Sequence, residues 1–180
     1  LDWEPAEPTR LVLSDETDFA NGYAMPFNIN RSVLYITPPT GGVLEDYDDW
    51  LHLLITHEYV HILHLDKVDD APQTVRDVFG RQFLGFPNVY EPYWIIEGLA
   101  TWYETSRQRK AGRGQATTFD TMMRMEVERG IKPLAQVNLP VASWPAGHTR
   151  YLYGVYFFMF LEARYGQEAI RQFVQAYSGN

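Results

Sequence analysis

Residues 46–66 read DYDDWLHLLITHEYVHILHLD, and this stretch decides the fold. Apolar Leu51, Leu54, Ile55 and Ile62 recur at helical spacing, behind a run of acids that caps a first turn and complements the helix dipole. The pattern predicts a helix from about Asp46 to about Asp66. Inside it lies His57-Glu58-Tyr59-Val60-His61, an H-E-x-x-H sequence. At roughly 100° per residue, His61 sits about 40° round the helix from His57 and about 6 Å along it, so both imidazoles project from one face. That geometry suits two ligands of one zinc ion. Glu58 falls on the flank of the same stripe, within reach of a zinc-activated water without becoming a ligand, where a general base stands. On its own the motif is suggestive, and the plainer reading is a helix whose histidines cap neighbours or face solvent.

A second long helix is expected from near Pro92 through YWIIEGLATWYETS, proline suiting a first turn. A tetrahedral catalytic zinc needs a third protein ligand and keeps its fourth position for water. Glu97 is the natural donor, and the small Gly98 and Ala100 are expected to let this helix approach the first. Glu104, seven residues on and about 20° from the same face, is placed to orient a ligating histidine from behind. An exposed acid on an amphipathic helix is an equal reading. His64 also lies on the His57 face, but about 10.5 Å further along the helix, too far for both to reach one ion without bending. It is expected to support the ligands rather than join them.

Upstream, TRLVLS (9–14) and RSVLYIT (31–37) read as short strands, with the turn-rich NGYAMPFNIN between them. Downstream, TVRDVFGRQF predicts a shorter helix broken near Gly85-Phe86-Pro87, and RQRKAGRGQ an exposed basic loop. Further helical patterns fall at about 118–129, 150–165 and 167–177, with Pro133, Pro140 and Pro145 at the connections. The expected fold is α+β and mainly α. One domain spans 1–180: a small N-terminal sheet lobe (1–45) packs on a helical, zincin-type lobe (46–180), with the active-site helix between them.

Composition narrows the chemistry. In 180 residues, 15 Lys+Arg stand against 23 Asp+Glu, a net charge of −8, which disfavours a broad grip on nucleic acid or an anionic membrane. With no cysteine there is no disulfide scaffold, no thiolate nucleophile and no Cys-based zinc site, so metal falls to histidine and carboxylate. No apolar run approaches the length of a membrane span, and no signal peptide is legible. The opening at Leu1 and the close at Asn180 read as those of a piece excised from a longer protein.

H-E-x-x-H followed by W-x-x-E-G-x-A-x-x-x-E resembles the gluzincin (peptidase MA-like) metallopeptidases, the group containing thermolysin and the aminopeptidase N and leukotriene hydrolase enzymes. Tyr151-Leu152-Tyr153-Gly154, leading into VYFFMFLEARYG, is similar to the Y-x-x-G-helix element of the aminopeptidase-like members, where the tyrosine stabilises the tetrahedral intermediate. On that spacing the role falls to Tyr151, with Tyr153 as the alternate oxyanion donor and His148 as a candidate for the cleft. The whole layout resembles peptidase-like domains of exported bacterial proteins that also carry a β-propeller. The resemblance implies an exported location (periplasmic, cell-surface or secreted) and an adjoining propeller domain.

It further implies zinc-dependent hydrolysis of a peptide or protein substrate: His57, His61 and Glu97 as ligands of Zn2+, Glu58 as general base, Tyr151 at the oxyanion, and substrate extended along the RSVLYIT strand. The aminopeptidases use a Gly-x-Met-Glu-Asn segment whose Glu captures the free amino terminus. Here Gly22–Asn28 carries no acid, which favours endopeptidase action. The spacer to Glu97 is longer than in those enzymes, and TVRDVFGRQFLGFPNVYEP is expected to wall or cover the cleft. The alternative is a catalytically idle domain whose zinc knits two helices together while it binds a partner protein. Glu58 and a candidate tyrosine, which a structural site does not need, weigh against it. An interaction module with accidental motifs requires a triple coincidence.

Overall fold

The computed structural model describes residues 1, 3–40, 49–105, 111–139 and 142–178, so the acids at 46–48, the end of the PPTGG run, the start of the basic loop and Pro140 lie outside the described residues. The fold is α+β and mainly α. Helix α1 spans Trp50–Asp66, and Asp49 caps it by accepting from the His52 backbone N–H at 3.2 Å.

Three strands, β1 (Arg10–Ser14), β2 (Asn21–Met25) and β3 (Arg31–Tyr35), form a sheet in the order β1-β3-β2. β3 runs parallel to β1 and antiparallel to β2. Two expectations change here. Residues 21–25, read as turn, form a strand, because pairing with β3 outweighs the turn preference of Asn21 and Gly22. The RSVLYIT strand is central and paired on both sides, so it offers no edge; the edge beside α1 belongs to β2.

Helix α2 (Asp70–Phe79) begins earlier than the sequence suggests and stops at Gly80, whose φ of 74° favours glycine. Two 3-10 turns, Phe83–Gly85 and Pro87–Tyr90, lead to α3 (Tyr93–Glu104). Then follow α4 (Thr117–Arg129), the short α5 (Leu134–Val137), α6 (Thr149–Tyr165) and α7 (Gln167–Ser178). Val60 of α1, Trp94, Ile95 and Leu99 of α3, Phe158 of α6, and Ile170 and Val174 of α7 share one buried cluster. Burying such side chains contributes about 1.5–3 kcal/mol each and fixes how the site helices sit.

The tightest packing is between α3 and α6. A β-carbon on Gly98 would lie 2.4 Å from the Gly154 Cα, and one on Gly154 would lie 2.2 Å from the Trp94 carbonyl oxygen. Gly98 therefore lets α3 approach α6, not α1 as the sequence suggested. No described helix is long and apolar enough to cross a membrane.

Candidate metal centre

One turn of α1 brings His57 and His61 onto one face, and α3 supplies Glu97 opposite them. His57 Nε2 lies 3.1 Å from His61 Nε2. Glu97 Oε2 lies 3.3 Å from each of those nitrogens. Ligand bonds of about 2.0–2.1 Å at tetrahedral angles would separate donor atoms by roughly 3.3 Å, so the spacing fits a single zinc ion. Two imidazole nitrogens and a carboxylate oxygen also suit zinc chemically. Among the described residues this is the group of three that could hold a metal.

Behind the cluster, Glu104 accepts from His57 Nδ1 at 2.8 Å. With the Nδ1 proton held there, Nε2 is the nitrogen that faces the cluster and would bind a metal on giving up its proton. Glu104 is itself held by Arg113, whose Nε and Nη2 donate to its two oxygens at 2.7 Å each and whose backbone N–H donates at 3.2 Å. Arg113 Nη2 also stands 2.9 Å from His57 Nδ1. With the Nδ1 proton directed at Glu104, that approach is a contact between two donors, not a hydrogen bond. Arg113 was not legible as a site residue: its stretch reads as an exposed basic loop, yet its side chain is 13% exposed and its guanidinium lies over the Tyr151 ring, 4.6 Å from the centroid. A lone arginine between glycines gives no local signal of such a role.

The electrostatics follow from burial and these partners. Burial and the Arg113 charge would lower the His57 pKa, but hydrogen bonds to Glu104 and Glu97 carry it up to about 9. Burial would raise Glu97, yet its hydrogen bonds with His57 and His61 hold it well below the usual carboxylate range. Glu104 resists burial in the same way, drawn down to about 2 mainly by Arg113. These three groups thus form a charged, proton-sharing cluster. Glu58 differs: burial pushes its carboxyl up, against the pull of His61 and His57.

The cluster opens into a cleft of about 440 Å³, lined near the histidines by Gly22, Tyr23, Glu58, Arg113 and Tyr151. A β-carbon on Gly22 would come within 3.0 Å of the Glu58 Cγ, so glycine at this point of β2 lets the sheet edge lie directly over the base candidate. Tyr151 faces the cleft with its ring 6.1 Å from that of His57, and burial followed by the Glu97 charge pushes its phenol up to about 12, keeping it protonated.

Other sequence candidates lie elsewhere. Tyr153, two residues and about 200° round α6 from Tyr151, donates to Glu126 and accepts from the Lys132 backbone N–H at 2.8 Å. His148 packs against Phe119, with ring centroids 6.3 Å apart, and does not line the cleft. His64, fully buried, pairs with Glu91 at 3.3 Å and does not touch the cluster. Three residues beyond His61, just under a turn, it faces the spacer, where Asn88 Nδ2 donates to its carbonyl at 2.7 Å. Comparison with protein-family models, curated proteins and solved structures finds no match to this chain.

Proposed function

We propose that this chain is a zinc metallopeptidase domain of the gluzincin type, acting as an endopeptidase. The observation that carries the reading is the convergence of His57, His61 and Glu97 at 3.1–3.3 Å in a cleft that also presents Glu58 and Tyr151. A zinc ion held by the three ligands supplies Lewis-acid polarisation of the scissile carbonyl and draws the pKa of water toward neutrality.

The remaining chemistry belongs to the side chains. Glu58 removes the proton from the attacking water as the new C–O bond forms, and passes it to the amine nitrogen as the C–N bond breaks. Its raised pKa suits a group that must take up and return a proton. The Tyr151 phenol donates to the carbonyl oxygen as charge gathers there. Glu104 and Arg113 hold His57 in the orientation its role needs. A peptide would extend along β2, whose outer edge is free of any described strand. Among described residues the acids lining the cleft are Glu58 and Glu97, both with roles, so no carboxylate is left to capture a free amino terminus.

The test is metal analysis together with digestion of an unbiased peptide library by the wild type and Glu58→Gln. Stoichiometric zinc in both, with cleavage only by the wild type, is the expected result. Zinc without Glu58-dependent cleavage would leave the idle, partner-binding reading standing instead. Substoichiometric zinc unaltered by Glu97→Ala would remove the metal centre itself.

A further inference from the structure

Alongside the last turns of α1 the cleft changes character, from charged to aromatic. The spacer between His61 and Glu97 is pinned there. Asn88 Nδ2 donates to the carbonyls of His64 and Lys67 at 2.7 and 3.3 Å, fastening the 87–90 turn to α1. Arg81 donates to the Pro26 carbonyl and to Asn30 Oδ1, while the Asn28 N–H donates to the Arg81 carbonyl at 3.1 Å, fastening the spacer to the turn after β2. Arg81 also pairs with the buried Asp66 at 2.8 Å.

On this frame the rings build a shelf. Phe86 is fully buried beneath it, with the Arg76 and Arg81 guanidiniums 4.1 and 5.3 Å from its centroid. Phe27 meets Phe86 edge-on at 5.0 Å and Phe83 at 5.3 Å, and Phe83 meets Tyr90 at 5.1 Å. Phe83 nevertheless remains 52% exposed and Tyr90 57%. Phe27, Phe83 and Val89, with Leu65 of α1, line the same cleft as Glu58 and the histidines, and none of them brings a charge to that end. A fixed, half-exposed aromatic surface continuous with a groove whose β2 edge is free of any described strand has apolar area to bury and backbone groups to orient what buries it. Its frame is already ordered, so little entropy is lost when a side chain docks.

We propose that this shelf is the subsite for one bulky apolar side chain, aromatic or branched, of a peptide lying along β2, and that Phe83 is its specificity-determining residue. The proposal rests on the peptidase reading for its turnover, but not for its binding. Phe83 receives the side chain edge-on or stacked, while Phe27 and Val89 bound it.

The test varies one residue, Phe, Leu, Ala or Asp, at each position of a fixed peptide. The wild type is expected to favour Phe and Leu over Ala by about 10–100-fold in kcat/KM at one position beside the cut bond. Phe83→Ala collapses that ratio, whereas Leu84→Ala, a neighbour 74% exposed outside the cleft, keeps it. Calorimetric binding of the same peptides to Glu58→Gln gives a readout without turnover: the Phe peptide binds about 10-fold tighter than the Ala peptide, and adding Phe83→Ala removes the difference. Equal binding or equal cleavage of the Phe and Ala peptides overturns the shelf, as does a preference that survives Phe83→Ala. Phe83-dependent binding with no Glu58-dependent cleavage overturns the peptidase reading and leaves the subsite in place.

Discussion

Gly98 and Gly154 meet backbone to backbone: the Cα of Gly154 lies 2.4 Å from where a β-carbon on Gly98 would stand. Glu97 immediately precedes one glycine and Tyr151 stands one helical turn before the other. The crossing of α3 and α6 therefore sets the distance between the third metal-ligand candidate and the candidate oxyanion donor.

Gly98→Ala and Gly154→Ala should each destabilise the protein. Alanine gains up to about 1 kcal/mol in helix propensity, but overpacking costs about 1–3 kcal/mol where the neighbour can shift, and more where it is backbone. A net loss of about 2 kcal/mol or more in urea denaturation is expected, accompanied by weaker zinc binding. Unchanged stability in either variant would mean the helices separate freely.

The two tyrosines of the Y-x-x-G element should part company. Tyr151→Phe is expected to lower kcat by about 10²–10³ with zinc content unchanged. Tyr153→Phe should leave kcat near wild type and cost about 1–2 kcal/mol of stability, since it removes the donor to the buried Glu126. Steady-state kinetics beside thermal melts reads both, and a reversed pattern would reassign the oxyanion donor.

Arg113 should matter beyond its charge. Arg113→Met leaves the Glu104 side chain, 0% exposed, without its main counter-charge, and removal of one partner of such a pair typically costs about 3–5 kcal/mol. Zinc affinity measured by chelator competition should fall about 10–100-fold as Glu104, no longer held by Arg113, orients His57 less firmly. The double variant Arg113→Met/Glu104→Gln is expected to regain part of the stability but not the affinity. Full affinity in Arg113→Met would show that Glu104 holds His57 unaided.

The same pair carries an acid limit. The Glu104 pKa in the folded, metal-free protein is drawn down to about 2, from the ordinary 4.5, by Arg113 and then His57, against burial. A carboxyl depressed on folding contributes stability that is complete above its unfolded pKa and is lost as pH falls through the folded one. The stability advantage of the metal-free wild type over Glu104→Gln should thus be level near pH 5–6, below the range in which His57 titrates, and shrink between about pH 4.5 and 2. Denaturation series of the two proteins across that range test it, and a gap independent of pH would refute the assignment.

Much of the helical framework was legible because its signals are local. The apolar spacing of α1, the proline before α3 and Pro133 beyond α4 lie within a few residues of what they determine. So does the His57–His61 relation, which a helix imposes by its pitch alone. Residues 21–25 were misread because their strand state comes from β3, and Asn21 and Gly22 carry the opposite local preference. Gly98 was visible as a small residue, but not which helix it admits.

The sequence by itself determined the candidate donor types, histidine and carboxylate in a chain without cysteine, and most of the extent of the helices that carry them. Only the tertiary structure decided among partners. It turned Tyr151 to the cleft and Tyr153 to Glu126, gave His64 to Glu91, drew Arg113 out of an apparent loop onto Glu104, and made β2 an outer strand of the described sheet. Helix pitch and capping act between near neighbours, whereas each of these choices depends on which distant side chain shares the same desolvated space.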